Sequence, residues 1–196
     1  MNINLRTVKV LFIILIGILC TTSVIIAQSQ TWKTKTAMPT ARTALGACVL
    51  DGKIYAIGGA TGMYTSTSAV EMYDPVTDKW VTKASMPSAL SFPNVCVLND
   101  KIYVFGGSAN MWSGLSNIVY IYNPDNNTWS QKADPSHHEF FDPCIAVVDT
   151  QVYFFGGGKD AYTPPVSNVD SYNPATDTWT KKRDMPTARY IFIDCM

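Results

Sequence analysis

Charge is scarce in this sequence. Only 15% of its 196 residues are charged, 15 Lys and Arg stand against 15 Asp and Glu, and there are two histidines. A disordered chain combines low hydrophobicity with high net charge, and a reader of nucleic-acid phosphates carries a basic excess. At 47% hydrophobic and zero net charge, this chain is neither. Past residue 27 no stretch keeps a 3.6-residue apolar period, so helices are expected to be scarce. Metal-ligand spacing is missing too. His137 and His138 are adjacent, and neighbouring side chains of an extended segment point apart. With Glu139 they form the one cluster that could suggest acid–base chemistry, against the plainer reading of a surface pair. Neither a metal nor a cofactor is expected.

One long apolar run is present, at the N-terminus. Arg6 and Lys9 precede Val10–Leu19, then come the more polar Cys20 to Ser23, and then Ala27. Basic, apolar, small is the order of a secretory signal. Leu19 before Cys20 is too bulky for a lipoprotein site. An uncleaved anchor within residues 8–27 is the rival, since the 18-residue run 10–27 is at the lower end of what spans a bilayer core of about 30 Å. Under both readings the basic flank stays inside and residues 28–196 are exported, to a secreted, periplasmic or extracellular location. Without Arg6 and Lys9, 13 basic residues face 15 acidic ones, so electrostatics names no partner.

The exported part is an internal repeat. Trp32, Trp80, Trp129 and Trp179 are spaced by 48, 49 and 50 residues. In phase with them recur Gly58-Gly59, Gly106-Gly107 and Gly156-Gly157, and Tyr73-Asp74-Pro75, Tyr122-Asn123-Pro124 and Tyr172-Asn173-Pro174. Met38-Pro39, Met86-Pro87 and Met185-Pro186 mark unit boundaries, with Asp134-Pro135 as a degenerate copy. Each unit reads as four short strands. In the first, residues 43–50 and 53–57 flank Asp51-Gly52, a hairpin turn that favours positive φ. A loop of about ten residues then leads to 69–73, and Asp74-Pro75 turns the chain into 79–83, which carries Trp80.

Four-stranded units of this length, with this glycine doublet and tryptophan, resemble the kelch repeats of β-propellers, which are about 50 residues long. The resemblance covers residues 28–196. It implies an all-β kelch-type propeller segment with blades near 42–87, 90–135 and 138–186, flanked by partial strands at 30–38 and 187–196. Counted this way the segment is an incomplete propeller, since propellers close with about four to eight blades. Its open blade edges predict self-association, unless further repeats cover them. Glycine pairs and aromatic wedges then read as fold residues rather than as a phosphate cradle, because no helix follows the glycines.

Cys48, Cys96, Cys144 and Cys195 fall at nearly equivalent places on first strands. Equivalent sites on neighbouring sheets lie about 10 Å apart, whereas bridged Cα atoms come within about 7 Å, so four free thiols are expected.

Function should reside in the irregular connections, which emerge at one mouth of the channel. Five residues after each glycine pair stands an aromatic: Tyr64, Trp112 and Tyr162. Three residues after each boundary proline stand Arg42, Leu90, His138 and Arg189. In kelch propellers that recognise proteins, arginines and aromatics at such positions contribute to the binding face. Arg42 and Arg189 match that pattern, His138 is a partial substitute and Leu90 departs from it. The competing reading is that these arginines bond backbone carbonyls between blades. The sequence therefore points to an exported, non-catalytic module binding a protein or glycan through Arg42, Tyr64, Trp112, His138, Tyr162 and Arg189. The alternative is a sugar-processing enzyme resembling sialic-acid mutarotases, with His138, Glu139 and the arginines as its acid–base set. Asn126-Asn127-Thr128 is a glycosylation sequon, meaningful in a eukaryotic host.

Overall fold

The computed structural model describes residues 32–110, 113–132, 143–158 and 163–189. The chain divides into two compact units, residues 1–34 and 35–196, and all described strands lie in the second. No helix occurs among the described residues, and none is long and apolar enough to cross a membrane. Residues 1–27, the expected signal, lie outside them.

Three four-stranded antiparallel sheets follow one another along the chain. In the first blade, β1 (Gly46–Leu50) and β2 (Lys53–Ile57) form a hairpin, β3 (Ala60–Gly62) and β4 (Thr65–Ser66) a small separate one, and β5 (Val70–Asp74) and β6 (Lys79–Thr82) complete the sheet in the order β1-β2-β5-β6. The second repeats the plan with β7 (Asn94–Leu98), β8 (Lys101–Phe105), the small pair β9 (Ser108–Asn110) and β10 (Ser113–Leu115), then β11 (Val119–Asn123) and β12 (Thr128–Lys132). The third consists of β13 (Cys144–Val148), β14 (Gln151–Phe155), β15 (Val169–Asn173) and β16 (Thr178–Lys181). Asp51 and Gly52, with φ of 50° and 68°, make the expected first hairpin turn. The expected plain loop between second and third strands is instead a hairpin in blades 1 and 2.

The partial strand expected at 30–38 is not formed over the described residues 32–38, and Trp32 is fully exposed. Residues 187–189 are likewise irregular, and 190–196 lie outside the described residues.

Alternation along the strands gives each sheet two apolar faces. One core joins blades 1 and 2 through Cys48, Leu50, Tyr55 and Ile57 against Val95, Ile102, Val104 and Tyr122. A second joins blades 2 and 3 through Cys96, Leu98, Tyr103 and Phe105 against Ile145, Val152, Phe154 and Tyr172. Cys48 and Cys96 are buried and free, and Cys144 is buried with its thiol 3.9 Å from the Ile145 carbonyl oxygen, while Cys195 lies outside the described residues.

The tryptophans do more than fill wedges. Trp80 donates from its indole nitrogen to the Thr36 carbonyl (2.9 Å), and the Thr36 amide donates to Asp78 (3.0 Å). Trp129 bonds the Ala84 carbonyl (2.8 Å) while Asn127 accepts from the Ala84 amide (2.8 Å). Asp78 and Asn127 sit at φ of 57° and 55° and accept the hydroxyls of Tyr73 and Tyr122. A blade therefore grips both backbone groups of one residue just ahead of it, which satisfies polar groups that the sheets leave over.

Candidate functional site

The ends of β2, β8 and β14 and the starts of β5, β11 and β15 meet at one end of each blade. The small hairpins and the segments leading into the next blade converge there. Leu90, on its way into blade 2, accepts from Gly59 N (2.8 Å) and donates to Thr67 O (3.3 Å). Arg189 repeats this on blade 3, with Gly157 N (3.1 Å) and Val166 O (3.2 Å). The glycine doublets make room for this crossing. Gly58 has φ of 63°, and a Cβ there would lie 2.5 Å from the Leu90 carbonyl oxygen.

Arg42 lies at this end, but its side chain has 0% exposure. It forms an ion pair with Glu71 (3.1 Å) and donates to the Ala56 carbonyl (3.0 Å), while Thr40 donates to the other Glu71 oxygen (2.7 Å). Burial lowers the guanidinium pKa and Glu71 raises it in opposition. Arg42 therefore takes the carbonyl-bonding alternative, with a carboxylate that sequence reading missed. Blade 2 holds Ser88, Leu90 and Tyr120 at the same register, and there Ser88 and Tyr120 bond through their hydroxyls (2.9 Å). A charged buried cluster and a largely neutral one thus serve the same place.

Tyr64 is 70% exposed at the turn of the β3–β4 hairpin, beside Met63 at 66%. The hairpin is tied to blade 2 by serines. Ser66 Oγ lies 3.2 Å from both Ser91 Oγ and the Ser108 carbonyl, and Ser91 Oγ donates to that same carbonyl (3.2 Å). Arg189 is exposed, with its backbone holding the glycine turn. Trp112, His138 and Tyr162 lie outside the described residues, as do His137 and Glu139. Of the sequence candidates, only Arg42, Tyr64 and Arg189 are thus placed, and they stand at the loop-bearing ends of blades 1 and 3. Among the described residues no group of three His, Cys, Asp or Glu side chains could hold a metal ion.

Residues 19–192 match the family model described as the KLHDC2/KLHL20/DRC7 Kelch-repeats domain. The chain belongs to the kelch-repeat family, and its sheets are those of a kelch-type β-propeller. Among solved structures it is similar to one described as "Structure of YjhT", with a TM-score of 0.70 and 16% identity. That likeness covers 84% of this chain and 59% of the other, so the chain spans about three-fifths of that structure. No curated protein matches the sequence.

Proposed function

We propose that this chain is an exported, non-catalytic binding module that recognises a protein or glycan ligand at the loop-bearing mouth. The exposed Tyr64 and Met63 at the tip of a braced hairpin carry this reading. A rigid base presenting an amphipathic aromatic and an adaptable thioether to solvent is what an interaction surface needs. Export rests on the basic, apolar, small order of the first 27 residues. Arg42 is reassigned from ligand contact to internal support, because its charge already faces Glu71.

The test is a screen of the immobilised full chain against a glycan array and a displayed peptide library, followed by Tyr64→Ala. Binding should weaken by about 1–3 kcal/mol, as for an aromatic anchor, with little change in melting. Unchanged affinity would remove the mouth from consideration. Accelerated anomer exchange of N-acetylneuraminic acid, followed by NMR, would favour the enzyme alternative over a non-catalytic module.

A further inference from the structure

The pentapeptide Met-Pro-Thr-Ala-Arg occurs twice, at 38–42 and at 185–189. The first copy leads into blade 1 and is engaged there. Thr40 and Arg42 take the two oxygens of Glu71 on β5 (2.7 and 3.1 Å), and Arg42 also takes the Ala56 carbonyl on β2 (3.0 Å). Two residues ahead of the pentapeptide, Thr36 is gripped by Asp78 and Trp80 of the same blade. The second copy leaves blade 3 with the same side chains, and there Thr187 and Arg189 are exposed.

Its backbone is already set as a lead-in. Met185 N donates to Ser167 O (2.8 Å) and Lys182 N to Val169 O (2.8 Å). Ahead of blade 2, Met86 N and Lys83 N make the same bonds to Ser68 O and Val70 O (both 2.9 Å). Arg183 thus stands where Ala84 stands, and Ala84 is the residue that Asn127 and Trp129 of blade 2 grip. The neighbouring sheet face agrees. Val148 closes β13 at 51% exposure, whereas Leu50 and Leu98, at its register, are 5% and 6% exposed in the cores shared with the blade that follows each.

The side chain at the register of Glu71 decides what fits, because a buried arginine without a carboxylate is costly. In blade 2 that register holds Tyr120, which meets Ser88 instead of an arginine. A second copy of this chain is a poor occupant, since its Glu71 is already held by its own Thr40 and Arg42. We propose that blade 3 and residues 183–189 form a docking surface for a further kelch-type blade that brings no lead-in of its own. That blade carries a carboxylate on its third strand at the register of Glu71, which Thr187 and Arg189 select, and an Asx and a Trp to grip Arg183. The proposal is independent of what the mouth binds.

The probe is a copy of residues 50–84 appended to the full chain after Met196, which sets its Glu71 29 positions beyond Arg189, as Glu71 follows Arg42. Trypsin cutting at Arg183 and Arg189, followed at high dilution by mass spectrometry, should be at least about tenfold slower than in the unextended chain. Glu71→Gln in the appended copy alone should return both cuts to within about threefold of the unextended rate. Arg189→Leu combined with Glu71→Tyr in the copy, which reproduces the Leu90 and Tyr120 arrangement of blade 2, should keep Arg183 protected. Unchanged cutting in the extended chain, which is also the result if the appended segment stays unfolded, would overturn the proposal. Full protection by the Glu71→Gln copy would overturn it as well, because the carboxylate would then select nothing. A discrete dimer of the unextended chain with Arg189 protected would overturn it in favour of a second copy.

Discussion

Trp129 offers the sharpest measure of how the blades are held. Its indole lies against the core between blades 1 and 2, with ring centroids 5.0 Å from Tyr122 and 6.3 Å from Tyr120, and it bonds the Ala84 carbonyl. Fully buried tryptophan truncations cost about 3–5 kcal/mol, and partial burial moves this one toward the lower end. That cost already contains the orphaned carbonyl, at about 1 kcal/mol, and the lost ring pairing, at about 0.5–1.5 kcal/mol. Trp129→Ala should therefore destabilise by about 3–4 kcal/mol, or roughly 6–16 °C in melting temperature for a domain of this size. Trp80 makes the same clamp in a more exposed setting, with Tyr73 as its one ring neighbour among the described residues, so Trp80→Ala should cost only about 2 kcal/mol. Trp129→Phe keeps a ring and loses the bond, at about 1–2 kcal/mol. Urea unfolding followed by circular dichroism ranks the three. Should Trp129→Ala cost no more than Trp80→Ala, the clamp would not be an interblade device.

Three further outcomes are expected. Burial pushes the Cys48 and Cys96 thiols up to about 12 from an ordinary 9.0, so neither should react with a disulfide reagent at pH 9 until the chain is unfolded in urea. The same shift makes stability fall as pH rises above about 9, where only the unfolded chain ionises, and continue falling toward about 12. Arg42→Leu should cost about 3–5 kcal/mol by leaving Glu71 buried without its partner, whereas Arg42→Leu with Glu71→Tyr, copying Leu90 and Tyr120 of blade 2, should restore most of it in thermal melts. Equal losses in the single and double variants would mean that the pair is not what the cluster depends on. Gly58→Ala should lower stability by more than about 1 kcal/mol, because the new Cβ meets the Leu90 carbonyl at 2.5 Å and the φ is positive.

What the sequence made legible was what every blade repeats. Glycine doublets, Tyr-Asx-Pro turns and tryptophans recur because each blade solves the same crossing and clamping problem, so their period locates the strands, although the first opens at Gly46, three residues later than expected. Residues that differ between blades were harder to read. Arg42 looked like a mouth residue because its partner Glu71 lies 29 positions away, and nothing local announces that one will neutralise the other. Phe92, at φ of 52°, gave no signal, since a left-handed backbone is anticipated for Gly, Asn or Asp and here the bonds to Ala44 and Ser108 impose it. Trp32 carried the strand marker, yet no strand forms around it among the described residues 32–38.

Register comparison also shows what the two outer faces lack. Ile54, Ile102 and Val152 hold equivalent places on the three second strands, with exposures of 38%, 0% and 0%. Leu50, Leu98 and Val148 close the three first strands at 5%, 6% and 51%. The open positions are the back of blade 1 and the front of blade 3, the two faces that no described blade covers. A second copy offering its blade 1 to blade 3 would match face to face. At the mouth end, however, Arg189 already occupies Gly157, and the second copy's Arg42 stretch would need that same berth. A clean blade 1 to blade 3 junction is therefore sterically disfavoured, in a ring or in a chain, and the exposed apolar faces should drive imperfect, unregistered association instead. Sedimentation velocity on the full chain should show a weight-average size that grows continuously with concentration and is insensitive to salt. A discrete dimer would show that the lead-in segments can be displaced, and a monomer at high concentration would show that the outer faces are covered by residues of the chain beyond the described blades.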